Sequence, residues 1–135
     1  MPATEYQTRT SSTFRATYPA EPRSVGAARA AVQQSCERWG YGHLCDDARL
    51  IVSELVGNAV RHAGTDIGLT LMARREGLRM EVSDGSTRPI QPRIATPTDE
   101  NGRGLALVDA LASHHGVRRS TGGKTVWAEL DTPAA

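Results

Sequence analysis

Apolar side chains recur along this chain at two spacings. Leu44, Ala48, Ile51, Val52, Leu55, Val56, Ala59 and Val60 fall three or four residues apart, which is the period of a helix with one broad apolar face. This predicts a helix over residues 45–63, stopped by Gly64. An earlier helix is expected over 24–39. Ser24 is its candidate N-cap, Val25, Ala28, Val32, Cys36 and Trp39 lie on one side, and Gly40 and Gly42 end it. Alternation of apolar and polar residues marks strands at 13–18, 67–73 and 78–83, the last two joined by a tight turn at Glu76-Gly77. A third helix is expected over 104–114, and a last strand over 125–130 after a turn at Gly122-Gly123. Helices and strands in this order predict an α+β fold, with helices packed on one face of a mainly antiparallel sheet.

The remaining segments are polar or proline-rich. Residues 1–12 are expected to be a disordered arm, 13–131 a single domain and 132–135 a short tail. Residues 84–101 contain Pro89, Pro92 and Pro97 and few apolar anchors, and a loop of this length in a small domain reads as a lid. The chain has 135 residues, of which 39% are apolar, enough for one core. A net charge of +1 gives no general field for nucleic acid or an acidic membrane, so neither is an expected partner. No apolar run is long enough to span a bilayer or to act as a signal peptide, and a cytoplasmic location is expected. Cys36 and Cys45 form no CxxC pair and read as buried free thiols, with Met72 and Met80 as core residues.

Candidate chemistry sits at three places in order. Glu54 and Asn58 are one helical turn apart, so they share a face. On a wheel of 100° per residue that face lies about 140° from the apolar stripe, together with Asp47 and Arg61, while His62 falls at the border. A carboxylate beside a carboxamide suits activation of a hydroxyl and contact with a hydrated metal ion. Gly57 between them costs a helix about 1 kcal/mol relative to alanine and is tolerated best where something approaches closely. Next, Asp84-Gly85 ends an apolar strand, where a carboxylate accepts a hydrogen bond from an exocyclic amine and discriminates against ligands lacking that donor. Third, Gly102-Arg103-Gly104-Leu105 enters a helix, and glycines there let backbone N–H groups reach phosphate oxygens. Taken singly, each is also an ordinary polar face, turn or helix entry. Gly122-Gly123-Lys124-Thr125 reads as a hairpin turn from which Thr125 reaches toward a ligand. His114-His115 reads as a helix C-terminus.

Glu54-Leu55-x-x-Asn58-Ala59-x-x-His62, then Asp84-Gly85, then Gly102-x-Gly104-Leu105, resembles the ATPase domain shared by gyrase B, Hsp90, histidine kinases and MutL (the GHKL superfamily). Within it the short chain looks like the anti-sigma-factor serine kinases of the RsbW and SpoIIAB type, and the ending Gly-Gly-Lys-Thr-Val-Trp resembles small actinobacterial ATP-binding regulators. The likeness covers about residues 13–131. It implies a two-layer α/β sandwich, the Bergerat or histidine-kinase-like ATPase fold, with ATP and Mg²⁺ between helices and sheet. By that resemblance Asn58 binds Mg²⁺ and Glu54 is the general base or orients the attacking hydroxyl, with Arg61 and His62 beside the nucleotide. Asp84 meets the adenine amine and Gly85 lets the base lie close. Gly102, Arg103, Gly104 and Leu105 cradle phosphates, and Thr125 supports the adenine end. The implied partners are a sigma factor, held inactive, and a STAS-domain anti-anti-sigma protein, phosphorylated on serine or threonine. A homodimer is also implied, with the exposed edge of the strand at 13–18 pairing across a two-fold axis.

The chain departs from the family pattern twice. Asp84-Gly85 is followed by Ser86-Thr87-Arg88, without the later glycines of that box. Glu100 and Asn101 stand where kinase members commonly carry an arginine. A competing reading is therefore a non-catalytic, nucleotide-dependent protein-binding switch.

Overall fold

The computed structural model describes residues 4–7, 12–86 and 100–133, with side chains described for 12–86 and 106–133. The elements in chain order are β1 (Thr4–Gln7), β2 (Thr13–Tyr18), α1 (Arg23–Trp39), α2 (Cys45–His62), β3 (Ile67–Arg74), β4 (Gly77–Asp84), α3 (Glu100–Leu111), β5 (His114–Ser120) and β6 (Gly123–Asp131). A short 3₁₀ turn over Gly42–Leu44 leads into α2. The six strands form one antiparallel sheet in the order β1-β2-β3-β4-β6-β5. This is the α+β architecture expected from the pattern, with helices on one face of an antiparallel sheet.

Strand alternation sends Phe14, Ala16, Tyr18, Ile67, Leu69, Leu71, Leu78, Met80, Val82, Ala128 and Leu130 to one face. There they join Ala28, Val32 and Cys36 of α1 and Ala48, Ile51, Val52, Leu55 and Val56 of α2 in one core. Burying each of the larger aliphatic side chains contributes about 1.5–3 kcal/mol. Cys36 and Cys45 are free and buried within this cluster. Burial pushes the Cys36 thiol up to about 12, and the neighbouring Cys45 adds to the effect.

The opposite face of the sheet carries charge. Arg79 donates to Glu81 and Glu129, both at 2.8 Å, and its guanidinium lies 4.4 Å from the centroid of the Trp127 ring. Arg74 also bonds Glu129. Met72 lies on this face, paired with Arg79, and is only half-buried. It is not a core residue, because its position has the opposite parity to Leu71.

Several boundaries differ from expectation. Part of the supposed disordered arm, Thr4–Gln7, is a strand on β2. The β2 edge expected to pair across a two-fold axis is therefore covered by the chain itself. Helix α1 starts at Arg23, with Pro22 as the cap residue. Ser24 lies inside the helix, buried, and donates to the Pro19 carbonyl at 2.6 Å instead of capping the helix. Gly40 ends α1 with φ 76° and its N–H on the Cys36 carbonyl, a conformation that favours glycine.

Helix α3 covers Glu100–Leu111, so His114 and His115 begin a strand that the pattern did not reveal. Six of the seven β5 residues are exposed, which leaves no alternation to read. Residues 87–99, most of the expected lid, lie outside the described residues. Among the described residues no helix is long and apolar enough to cross a membrane.

Candidate functional site

The site is built around the C-terminal half of α2. Its apolar stripe locks the helix onto the sheet and leaves Glu54 and Asn58 half-buried at the edge of that stripe, not on a solvated face. Asp47, Arg61 and His62 are exposed. Glu54 makes no hydrogen bond or ion pair with another described residue. Asn58 Oδ1 accepts a 2.5 Å hydrogen bond from Arg61 Nη2, one turn on. Gly57 is buried, and a Cβ there would stand 3.3 Å from Arg61 Nη1. The close approach expected at Gly57 therefore comes from the chain's own guanidinium.

Asp84, the last residue of β4, is 8% exposed and among the few buried polar residues described. It has the parity of Val82 and Met80, so its carboxylate projects toward the helical layer. Oδ1 accepts the Ser86 N–H at 2.8 Å and fixes the turn that leaves the strand. The Gly85 N–H donates to Thr65 Oγ1, also at 2.8 Å. Thr65 follows Gly64, whose φ of 65° ends α2. The structure thus joins two of the three sequence motifs. The Asp84 turn is fastened to the exit of α2, and Asn58 lies about one turn, roughly 6 Å, before that helix ends at His62.

Thr125 stands elsewhere than expected. The β4–β6 register pairs Asp84 with Lys124 and Ser83 with Thr125. The Ser83 and Thr125 hydroxyls bond each other at 2.8 Å on the sheet face away from the helices. Cross-strand partners share a face, so Lys124 is the β6 residue on the side of Asp84. A depression of about 490 Å³ lined by Arg15, Thr17, Gly68, Thr70 and Ser83 is also on that outer face and belongs to a different surface.

Gly102, Arg103, Gly104 and Leu105 lie inside the first turns of α3, not in a loop ahead of it, and their side chains are outside the described residues. Helix α3, which carries the third motif, packs on α2, which carries the first. Sequence reasoning missed Thr65, Ser86 and Lys124. Lys124 was available by counting the register outward from the Gly122-Gly123 turn. Thr65 and Ser86 act through one hydroxyl and one backbone N–H, which leave no composition signal.

Asp84 is thus a buried carboxylate with one oxygen held in a turn, and α2 presents a half-buried Glu54/Asn58 pair. The family described as the histidine kinase-like ATPase domain matches residues 18–130, and the chain belongs to it. Among curated proteins the chain is similar to the serine-protein kinase RsbW of Oceanobacillus iheyensis, with 30% identity over 113 residues, covering 69% of this chain and 70% of the relative. The domain is thus an ATP-binding one of the anti-sigma kinase type.

The residues present fit such a ligand at the base end. Asp84 has a second carboxylate oxygen beyond the one held by Ser86, as an exocyclic amine requires. They fit Mg²⁺ more sparely. Among the described residues no cluster of three acidic, His or Cys ligands occurs, and Asn58 offers one oxygen. Mg²⁺ held chiefly by water and phosphate needs no more than that from the protein.

Proposed function

We propose that this chain binds Mg-ATP between α2 and the Asp84 end of the sheet, holds a sigma factor inactive, and transfers the γ-phosphoryl group to a serine or threonine of a STAS-domain anti-anti-sigma protein. The observation that carries the reading is the fastening of the buried Asp84 turn to the exit of the helix bearing Glu54 and Asn58. In this proposal Asp84 accepts a hydrogen bond from the adenine amine. Asn58 contributes its carboxamide oxygen to the metal once Arg61 turns outward to the phosphates, with His62 beside it. The N-terminal turn of α3 faces the phosphates with the N–H groups that have no intrahelical acceptor, Gly102 among them, while Arg103, Gly104 and Leu105 follow in the next turn. Mg²⁺, when bound, neutralises phosphate charge during transfer. Glu54, unpaired among the described residues, takes the proton of the attacking hydroxyl as its oxygen bonds to phosphorus and ADP leaves.

The relative's name as a serine-protein kinase supports the transfer step. Homodimerisation and a cytoplasmic location belong to the same proposal, and sedimentation at micromolar concentration tests the dimer.

One observation favours a second reading, a nucleotide-dependent switch without transfer. Asn58 Oδ1 is already engaged by Arg61. Incubation with labelled Mg-ATP and a panel of STAS-domain proteins separates the two. The kinase reading predicts phosphoserine or phosphothreonine on a partner, reduced at least about a hundredfold by Glu54→Ala. ATP binding without label on any partner, or transfer unchanged in Glu54→Ala, contradicts it.

A further inference from the structure

The β3–β4 ladder runs from Arg74↔Gly77 to Gly68↔Ser83 and goes no further. Beyond it the two chains diverge, one back to α2 and the other through Asp84 to the turn. A contact from Thr65 bridges the gap. Thr65 Oγ1 accepts the Gly85 N–H at 2.8 Å and also lies 3.3 Å from the Asp66 carbonyl. The hydroxyl has the donor and acceptor capacity for both. On its other side the Thr65 methyl faces Gly85. A Cβ on Gly85 would stand 3.2 Å from Thr65 Cγ2, and 3.4 Å from Cβ and Oγ1. These three atoms are the nearest to that position outside the adjoining residues.

We propose that Thr65 is a positioning residue for the nucleotide site, setting where the Asp84 carboxylate sits relative to α2, and that residue 85 is glycine because Thr65 occupies the space a side chain would need. The inference rests on the nucleotide reading for its consequence, but the link itself is independent of any ligand. The carboxylate is held twice, by the Ser86 N–H on its own oxygen and by the anchoring of the following peptide to Thr65. Losing the second tether loosens the turn where it leaves β4, next to the pairing of Asp84 with Lys124. Gly85 is exposed, so water takes up its N–H when the hydroxyl is removed, and the fold tolerates the change. A shift of about 1 Å at a recognition carboxylate is enough to weaken the contact it makes.

The test uses Thr65→Val, Thr65→Ser, Gly85→Ala and the Thr65→Ser/Gly85→Ala double variant of the full chain. Two readouts are followed: amide exchange at Gly85 by NMR, without ligand, and affinity for ATP and GTP. Thr65→Val is expected to speed Gly85 exchange and to weaken ATP binding about tenfold, with a smaller effect on GTP, which has a carbonyl where adenine carries its 6-amine. Thr65→Ser keeps the hydroxyl and is expected to stay within about twofold of the parent in both. Gly85→Ala is expected to weaken ATP binding about fivefold in the parent and by less than about twofold when serine has removed the methyl.

Unchanged Gly85 exchange in Thr65→Val overturns the link. Unchanged ATP affinity in Thr65→Val overturns the positioning role. Equal cost of Gly85→Ala in both backgrounds overturns the packing explanation. A parent protein that binds neither nucleotide rejects the nucleotide reading and with it the role at a site, while Gly85 exchange still decides the link.

Discussion

At the scale of single residues, the glycines separate space from conformation. A Cβ on Gly123 would stand 2.0 Å from the Asp84 carbonyl oxygen, and its φ is 152°. Gly122, the preceding residue, has nothing within 4 Å. Gly123→Ala is therefore expected to lower stability by more than about 2 kcal/mol, and Gly122→Ala by less than about 1 kcal/mol, in urea denaturation. Equal midpoints for the two would contradict the account. Gly123 also touches the strand end that carries Asp84, so its replacement disturbs the candidate site through the backbone. The same scale shows where sequence reading reached its limit. Glu54, Asn58 and Asp84 were legible because a helical spacing and a strand-ending carboxylate are visible in one dimension. Thr65, Lys124 and Ser86 were not, since their roles arise from register and from a turn closed by residues about twenty positions apart. Thr125 was placed one residue out of phase. In a pleated strand that single step moves a side chain to the other face of the sheet.

At the scale of elements, α1, α2, β3 and β4 were legible because each buries one face in a common core and keeps a strict period. β5 was not, because six of its seven residues are exposed although it pairs with β6 and touches α3, and a strand so exposed carries no alternation. The charged layer on the outer face gives the strands their own pH dependence. Hydrogen bonding from Arg74, then from Arg79, holds the Glu129 carboxyl below the usual carboxylate range, against the opposing effect of its partial burial. A depressed carboxyl contributes stability that is fully present above its unfolded value and is lost as pH falls through its folded value. Thermal melts from about pH 6 down to about pH 3 are therefore expected to fall less steeply in Glu129→Gln than in the parent, at the cost of a lower plateau near neutrality. Parallel curves would show that Glu129 titrates alike in folded and unfolded chains.

At the scale of the whole molecule, the sheet divides two surfaces. The inner face holds the helices, the core and the Asp84 carboxylate. The outer face holds the Arg74, Arg79, Glu81 and Glu129 network with Trp127 and the depression near Ser83. The overall α+β sandwich followed from the order of the apolar patterns, while β5 and the covering of β2 by β1 required the fold itself. The central claim is that the polar edge of α2 and the Asp84 turn form one nucleotide site. Titration of isotopically labelled protein with Mg-ATP, followed by NMR, tests it most directly. The account predicts that the Asn58 side-chain amide and the backbone amides of Gly85 and Ser86 shift together along a single binding isotherm. Shifts at neither place, or at one without the other, would contradict it.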